Sequence, residues 1–256
     1  MKLYIVGNWK MNFSVGEASV YLHKLQQKIR TSKEVGVIIA PPSIALQPLT
    51  LQLDPKKIKL ASQNGNYHDF GAYTGEVSYT QLRGLVDYAI VGHSERRYLF
   101  CETDKDIRES VAAAIRNQIA PILCLGETEV ERTFGETRDV LRDQLVGGLS
   151  QVAVEDLPKV MVAYEPVWAI STTTSAKIAS PDDVSDAVQF LRQTLTDLYG
   201  ATIAKKVPLL YGGSVKPTNA GAYLTIPEVN GLLVGGASLI AEQFLGIIET
   251  AKRVAS

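Results

Sequence analysis

Residues 160–168 read VMVAYEPVW, a short apolar run that ends at an acid followed by a proline. Proline fixes its own φ, lacks an N–H and restricts the residue before it to extended geometry, so Glu165 is predicted to end a buried strand at a stiff joint. Small hydroxyl residues follow at 171–175, and Ser180-Pro181 marks the next helix start. The pattern is typical of a catalytic base beneath a lid, although a strand, a turn and a surface carboxylate would also produce it.

Seven more short apolar runs are spread along the chain, and none of the eight alternates polar with apolar residues. Strands buried on both faces, as in a parallel sheet, have this composition. The runs are Leu3–Val6, Val35–Ala40, Ile58–Ala61, Tyr88–Val91, Pro121–Leu125, Val160–Ala163, Val207–Tyr211 and Gly231–Val234.

Amphipathic helical patterns lie between most of these runs. The long ones are Glu17–Arg30, Asp104–Gln118, Thr137–Gln151, Pro181–Tyr199 and Ile240–Val254, and the short ones are Ile44–Gln52, Tyr79–Val86 and Thr218–Tyr223. Strand–helix alternation predicts an α/β fold. Eight units in 256 residues average about 32 residues, the size of one βα step. We therefore expect residues 1–256 to form a single (β/α)8 barrel domain, eight parallel strands surrounded by helices. An open eight-stranded sheet is the alternative, because counting units cannot close a barrel.

Composition argues against several classes of partner. The formal net charge of -1 and the pI near 6.3 argue against nucleic acid or an anionic membrane. Two cysteines and three histidines offer no metal cluster at ligand spacing. The first residues are apolar over too short a run for a signal peptide, and no later run is long enough to span a membrane. These features predict a soluble cytoplasmic protein without a metal.

Polar residues follow several predicted strands, where barrel enzymes carry their chemistry. Lys10 follows the first strand and could hold an anion, although a solvated lysine would look the same. His93 follows the fourth strand and precedes Ser94, a plausible helix cap; a helix start favours an uncharged imidazole that can donate a hydrogen bond, but an ordinary core or loop histidine also fits. Glu95 could belong to a charged face or pair with Lys10 across neighbouring loops.

Two glycine pairs end the seventh and eighth strands, as Gly212-Gly213-Ser214 and Gly235-Gly236. Barrels often bind phosphate at these two strand ends, through backbone N–H groups and the start of a short helix. Glycine pairs also mark ordinary tight turns. Their shared position on adjacent strands favours a phosphate site.

Five segments, taken together and in order, resemble signatures of the triosephosphate isomerase family across essentially the whole chain. They are NWKMN at 8–12, GHSERR at 92–97, AYEPVWAI at 163–170, YGGSV at 211–215 and GGASL at 235–239. The resemblance implies a TIM barrel that interconverts dihydroxyacetone phosphate and glyceraldehyde 3-phosphate without metal or organic cofactor.

The resemblance also implies roles for individual residues. Glu165 would move a proton between the two carbons, and neutral His93 would polarise the carbonyl and shuttle protons between the oxygens. Lys10 would offset the negative charge of the intermediate, with Asn8 assisting and Glu95 supporting. Backbone N–H groups would hold the phosphate dianion, at Ser171, Ser214, Gly235 and Gly236.

The loop Gly71–Glu76 resembles the loop through which members of this family form a homodimer, with Thr74 reaching toward the active site of the other subunit. An ordinary glycine-rich surface loop would have the same composition. The expected partners are therefore a small triose phosphate and a second copy of the chain.

The chain departs from the family at the lid tip. Where the family usually has Gly-Thr-Gly-Lys, this chain has Ser171-Thr172-Thr173-Thr174. Because threonine is disfavoured at positive φ, we expect the lid to close by a different path.

Two other functions fit part of the pattern. Another phosphosugar barrel enzyme, such as an epimerase, would share the phosphate site but not the set of Lys10, His93 and Glu165. A non-catalytic phosphate binder with a damaged lid would be expected to have lost part of that set, which is complete here.

Overall fold

The computed structural model describes residues 2–170 and 177–256, and within them eight parallel strands form a closed barrel in sequence order. The last strand pairs with the first, with Tyr4 opposite Gly231 and Gly7 opposite Val234, so the prediction of a closed barrel is confirmed and the open-sheet alternative is wrong. The strands are β1 Leu3–Asn8, β2 Val35–Ala40, β3 Lys59–Ser62, β4 Tyr88–Val91, β5 Ala120–Leu125, β6 Met161–Tyr164, β7 Leu209–Tyr211 and β8 Val229–Val234.

Helices follow the strands on the outside of the barrel. They are α1 Val15–Lys28, α2 Ser43–Thr50, α3 Tyr79–Leu82, α4 Ser94–Leu99, α5 Asp104–Arg116, α6 Glu129–Thr133, α7 Thr137–Leu149, α8 Pro181–Tyr199, α9 Ala201–Ala204, α10 Ala220–Leu224 and α11 Ala241–Ala255. No helix in the described ranges is both long and apolar enough to cross a membrane.

The strands supply two separate apolar clusters, which explains why their sequences do not alternate. Along β5, Ile122 and Cys124 belong to a cluster built from strand residues, whereas Leu123 and Leu125 pack with residues of the helices. Because successive strand side chains point to opposite faces, the first cluster fills the barrel and the second lies between barrel and helices.

Several element boundaries differ from the prediction for local reasons. The third helix ends at Leu82 rather than Val86, because Gly84 adopts a φ of +82° that a helix does not use. The seventh strand begins at Leu209 rather than Val207, because α9, which was not predicted, ends at Ala204 and a turn follows it, in which the Val207 N–H donates to the carbonyl of Ala204 at 3.1 Å. The cap of α4 is His93 and not Ser94.

Parallel pairing places all eight strand C-termini at one end of the barrel, called here the carboxyl end, and all strand N-termini at the amino end. Lys10, His93, Glu165 and Gly235 follow β1, β4, β6 and β8 and therefore meet at the carboxyl end. Lys2, Lys205 and Lys206 precede β1 and β7 and lie at the amino end.

Candidate active site

Glu165 follows β6 directly, and its position is set by its neighbours on both sides. Its backbone N–H continues the barrel ladder by donating to the carbonyl of Leu125 at 2.8 Å. A β-carbon on Gly126 would lie 1.9 Å from the carbonyl oxygen of Glu165, and one on Gly212 would lie 2.8 Å from its Cγ. Only glycine fits at both positions, so the side chain is held in a narrow space and is 2% exposed.

His93 connects α4 to the carboxylate of Glu165. Its Nδ1 accepts the backbone N–H of Glu95 at 3.2 Å, which caps the helix. A ring nitrogen that accepts carries no proton, so the neutral ring carries its hydrogen on Nε2. That Nε2 lies 3.2 Å from Oε1 of Glu165, while the backbone N–H of Ser94 donates to Oε2 of the same carboxylate at 3.3 Å.

Lys10 reaches the site from the loop after β1 in a left-handed backbone conformation, with φ of +52°. The side chain of Asn8 stabilises this geometry, because its Oδ1 accepts the Lys10 N–H at 3.0 Å. Gln63 adds a hydrogen bond of 2.8 Å to the carbonyl of Lys10. At the far end of the side chain, Nζ pairs with Oε1 of Glu95 at 2.6 Å, so the predicted pairing across loops is present.

Glu127, two residues after β5, is fully buried and acts as a hydrogen-bond acceptor. Its Oε1 accepts from the Trp168 ring N–H at 2.8 Å and from the Tyr164 hydroxyl at 3.1 Å. Arg132 lies 4.3 Å above the Trp168 ring and 3.7 Å from the same carboxylate oxygen. Burial is the largest effect and raises the pKa of Glu127 above its ordinary value, even though its hydrogen bonds and Arg132 act in the opposite direction.

Residues from five strand ends, those of β1, β4, β6, β7 and β8, line one small cavity of about 20 Å³ at the carboxyl end. Glu95 joins this group through its ion pair with Lys10. The lining residues are Asn8, Lys10, His93, Glu165, Ile170, Gly212, Gly213, Leu233 and Gly235.

The residues predicted to bind phosphate are only partly brought together. Gly235 lies beside Lys10, since a β-carbon there would be 3.7 Å from the lysine Cε. The backbone N–H of Ser214 donates instead to the carbonyl of Ala169 at 3.1 Å. Gly236 begins a short 3₁₀ helix beside the cavity rather than lining it. Ser171 and the lid tip lie outside the described residues.

Sequence reasoning missed several residues that shape the site. Cys124 lies beneath Glu165, and burial together with the charge of Glu165 raises the pKa of its thiol well above the ordinary value. Gly126 leaves room for the backbone of Glu165, and Gln63 donates a hydrogen bond to the backbone carbonyl of Lys10. Arg97, in the segment GHSERR, donates to the carbonyls of Gly92 and Cys124 and holds the loop after β4. Of these residues, only Gly126 has a signal in the sequence, because a glycine directly after a strand can indicate a close backbone approach.

The arrangement can move a proton beside a carbonyl group. A carboxylate is the acceptor, an imidazole N–H polarises an oxygen, and an ammonium stabilises the negative charge that develops. In residues 2–170 and 177–256, no group of three His, Cys, Asp or Glu side chains is placed to hold a metal ion. Fold and site together define the class: a (β/α)8-barrel enzyme with acid–base chemistry at the carboxyl end.

Comparisons with known proteins identify the family. The family model described as triosephosphate isomerase matches residues 3–251. The triosephosphate isomerase of Carboxydothermus hydrogenoformans is 43% identical over 249 residues, covering 97% of this chain and 98% of the relative. Those of Alkaliphilus metalliredigens and Chlamydia trachomatis serovar L2 are 40% and 42% identical, covering 96% and 97% of this chain and 98% and 89% of the relatives. The chain belongs to the triosephosphate isomerase family, and it is an isomerase.

Proposed function

We infer that the protein interconverts dihydroxyacetone phosphate and D-glyceraldehyde 3-phosphate through an enediol(ate), as a cytoplasmic step of glycolysis and gluconeogenesis. Family membership supports the reaction. The observation that supports the residue roles is the 3.2 Å approach of His93 Nε2 to the Glu165 carboxylate, in a cavity that Lys10 also lines.

Glu165 is the base that takes the proton from the carbon next to the carbonyl and returns it to the neighbouring carbon. Such a proton is weakly acidic, so a base succeeds only where nearby groups stabilise the anion that forms. His93 donates from Nε2 to the substrate oxygens, and Lys10 supplies a positive charge. Asn8 and Glu95 position Lys10 from its two ends.

Backbone N–H groups at the ends of β7 and β8 hold the phosphate. Gly235 and Gly236 lead into the 3₁₀ helix Gly236–Leu239, a suitable setting for an anion. The N–H of Ser214 becomes available once its bond to the Ala169 carbonyl opens. Ser171 is the fourth proposed contact, on the sequence resemblance alone.

Isomerisation of dihydroxyacetone phosphate in D₂O tests the base assignment. The wild-type product is expected to carry deuterium at the carbon next to the aldehyde, because the abstracted proton exchanges with solvent while Glu165 holds it. Glu165→Gln should lose both turnover and deuterium incorporation, measured by proton NMR. Glu249→Gln, which alters an exposed carboxylate of α11, is the matched control and should behave as wild type.

The outcomes separate the alternatives. An epimerase could exchange a carbon-bound hydrogen of dihydroxyacetone phosphate for deuterium but would not convert the ketose to an aldose. A phosphate binder would do neither, and exchange that persists in Glu165→Gln would show that another group is the base.

The protein is also proposed to form a two-fold homodimer through the loop Gly71–Glu76. This loop is exposed throughout, and large exposed apolar side chains surround it, with Phe70 81% and Met11 96% accessible. Large exposed apolar side chains near one loop are consistent with an interaction site there. A cavity of about 420 Å³ lined by Lys10, Glu95 and Met11 adjoins the catalytic residues and is large enough to receive a loop. In a two-fold pair each copy inserts its loop into the other.

Sedimentation at micromolar protein tests the assembly. Wild type should run as a dimer, and Thr74→Arg should shift it toward monomer with a loss of activity, because the loop enters beside Lys10. Thr31→Arg adds the same side chain to an exposed loop at the amino end and should remain dimeric. A fully active wild-type monomer would refute the dimer proposal.

A further inference from the structure

Three lysines converge on a further cavity, which lies at the amino end of the barrel, remote from the catalytic residues. Lys2, Lys205 and Lys206 line this cavity of about 160 Å³, together with Tyr4, Pro208 and Asn230. We call the three lysines the amino-end lysine cluster. They come from two distant parts of the chain that the closure of β1 onto β8 brings together.

The side chain of Lys2 has a defined course over the surface. A β-carbon on Gly36 would lie 3.1 Å from Cε of Lys2, so the lysine stem crosses the glycine. The ammonium group then lies 5.5 Å from the centre of the Tyr4 ring, within the range of a cation–π contact. Lys2 is an exposed residue, and its charge lies beside Tyr4, which lines the cavity.

The other two lysines sit on a backbone segment that Arg192 holds in place. Its guanidinium donates to the carbonyls of Ala204 and Val207, on either side of the lysine pair, and to the side chain of Asn230 at 3.3 Å. The Lys206 N–H donates to the carbonyl of Ile203 at 2.9 Å. The lysine pair thus projects from a fixed turn.

The cluster lacks compensating negative charge. Within the described residues no carboxylate lies within 4.0 Å of the three ammonium groups, and no acid lines the cavity. Glu228, which precedes β8 at the same end of the barrel, pairs with Arg192 at 2.7 Å. The protein as a whole has a formal charge of -1, so this positive charge is a local concentration. Like charges held together repel, and a bound anion relieves that repulsion.

We propose that the amino-end lysine cluster is a binding site for a phosphate-type polyanion, a compound carrying linked phosphate groups. Lysine ammonium groups bind phosphate oxygens as compact point charges with three donors each. Three such groups around one concavity match a ligand with several negative charges better than a single phosphate. The ligand is recognised by charge and therefore loses affinity as salt rises.

Calorimetric titration with sodium pyrophosphate tests the site. The variant Lys205→Gln/Lys206→Gln removes two of the three charges and is expected to weaken amino-end binding at least tenfold. Lys56→Gln/Lys57→Gln removes the same charge from the loop before β3, also at the amino end, and should leave the affinity unchanged. Circular dichroism confirms that each variant is folded.

Pyrophosphate can also compete with substrate at the catalytic phosphate site. Enzyme kinetics distinguish binding at that site from binding at the amino-end lysine cluster. Its competitive inhibition constant should be the same in wild type and Lys205→Gln/Lys206→Gln, because those lysines lie at the opposite end of the barrel. Equal calorimetric affinity in these two proteins, an equal loss in the control variant, or pyrophosphate binding only at the catalytic site would each overturn the proposal.

A second titration distinguishes free polyphosphate from the phosphate chain of a nucleotide. If the site accepts both, affinity for ATP should fall in Lys205→Gln/Lys206→Gln by about the same factor as for pyrophosphate. If it accepts pyrophosphate alone, ATP should show no amino-end binding in either protein. Amino-end binding of ATP without pyrophosphate binding would refute recognition through linked phosphates.

Discussion

The two ends of the barrel differ in whether their charged side chains are paired. At the carboxyl end, Lys10 pairs with Glu95 at 2.6 Å and the ring of His93 lies 3.2 Å from the buried carboxylate of Glu165. At the amino end, Lys2 and its two partner lysines have no carboxylate within ion-pair distance in the described chain. Both ends are held by backbone contacts, so the difference lies in the side chains.

The difference reflects what each end has to do. A catalytic group must keep a fixed position through the reaction. Burial alone does not fix a side chain, so the group also needs partners that restrict its movement. A surface that binds by net charge needs accessibility and an unpaired positive field instead. The predictions below test this contrast, from the largest expected effect to the smallest.

Shortening the base should have the largest effect. Glu165→Asp withdraws the carboxylate by about one methylene, and a misplacement of about 1 Å can lower kcat by at least ~10²-fold. KM should change much less, because the phosphate contacts remain. Steady-state kinetics of the purified variant measure both constants. Near-normal kcat would show that the fixed position at the carboxyl end is not what catalysis requires.

Removing the charge that positions Lys10 should have a smaller effect on activity. Glu95→Gln loses a charge-assisted hydrogen bond, and its usual worth corresponds to a fall in kcat/KM of about tenfold. Glu242→Gln disrupts an exposed ion pair with Lys28 at 3.6 Å and should leave kcat/KM unchanged. Equal effects of the two substitutions would contradict the distinction between positioning and surface pairs.

The buried carboxyl group of Glu127 should make the stability of the protein depend on pH. Burial raises the pKa of Glu127 above the ordinary carboxyl value of 4.5, so the folded state binds this proton more tightly than the unfolded state. The free energy of unfolding should therefore fall as pH rises from that value through the raised pKa, by about 1.4 kcal/mol for each unit of the shift.

Glu127→Gln keeps the accepting oxygen for Trp168 and Tyr164 but cannot ionise. Its stability relative to wild type should therefore increase with pH, measured by chemical denaturation across the acidic to neutral range. Glu249→Gln, an exposed carboxylate, should show no such change. Parallel pH profiles of stability for wild type and Glu127→Gln would show that ionising the buried Glu127 does not destabilise the folded protein.

The smallest effect concerns backbone strain. Cys101 follows α4 with φ of +56°, a region that costs a side chain roughly 1 kcal/mol. Cys101→Gly relieves that cost but makes the unfolded chain more flexible, so we expect a net gain of about 0.5 kcal/mol. Glu228, at the amino end with φ of +72°, is the contrasting case.

Glu228→Gly should bring no gain, because it also removes the ion pair with Arg192 at 2.7 Å. Thermal denaturation of both variants measures the difference. A gain for Glu228→Gly as large as that for Cys101→Gly would show that the ion pair contributes nothing there.

Local pattern determined the eight strands and the chain positions of the polar residues that follow them. Strands buried on both faces must be continuously apolar, so each of the eight strands was visible, and β2 and β4 were predicted with their observed ends. Proline after Glu165 restricted that residue to extended geometry, and it lies directly after β6 as predicted. These features depend on residues adjacent in sequence, which is why sequence alone was sufficient.

Tertiary structure decided how those residues meet. The cap formed by His93, the left-handed turn at Lys10 and the bond from Ser214 to Ala169 depend on neighbours supplied by other segments. The fit of Glu165 against two glycines and the convergence of Lys2 with Lys205 and Lys206 likewise appear only once the barrel closes. The sequence gives only the order of these groups along the chain. The distances between residues far apart in the chain are set by packing. Those distances determine which groups share protons, form ion pairs and bind ligands.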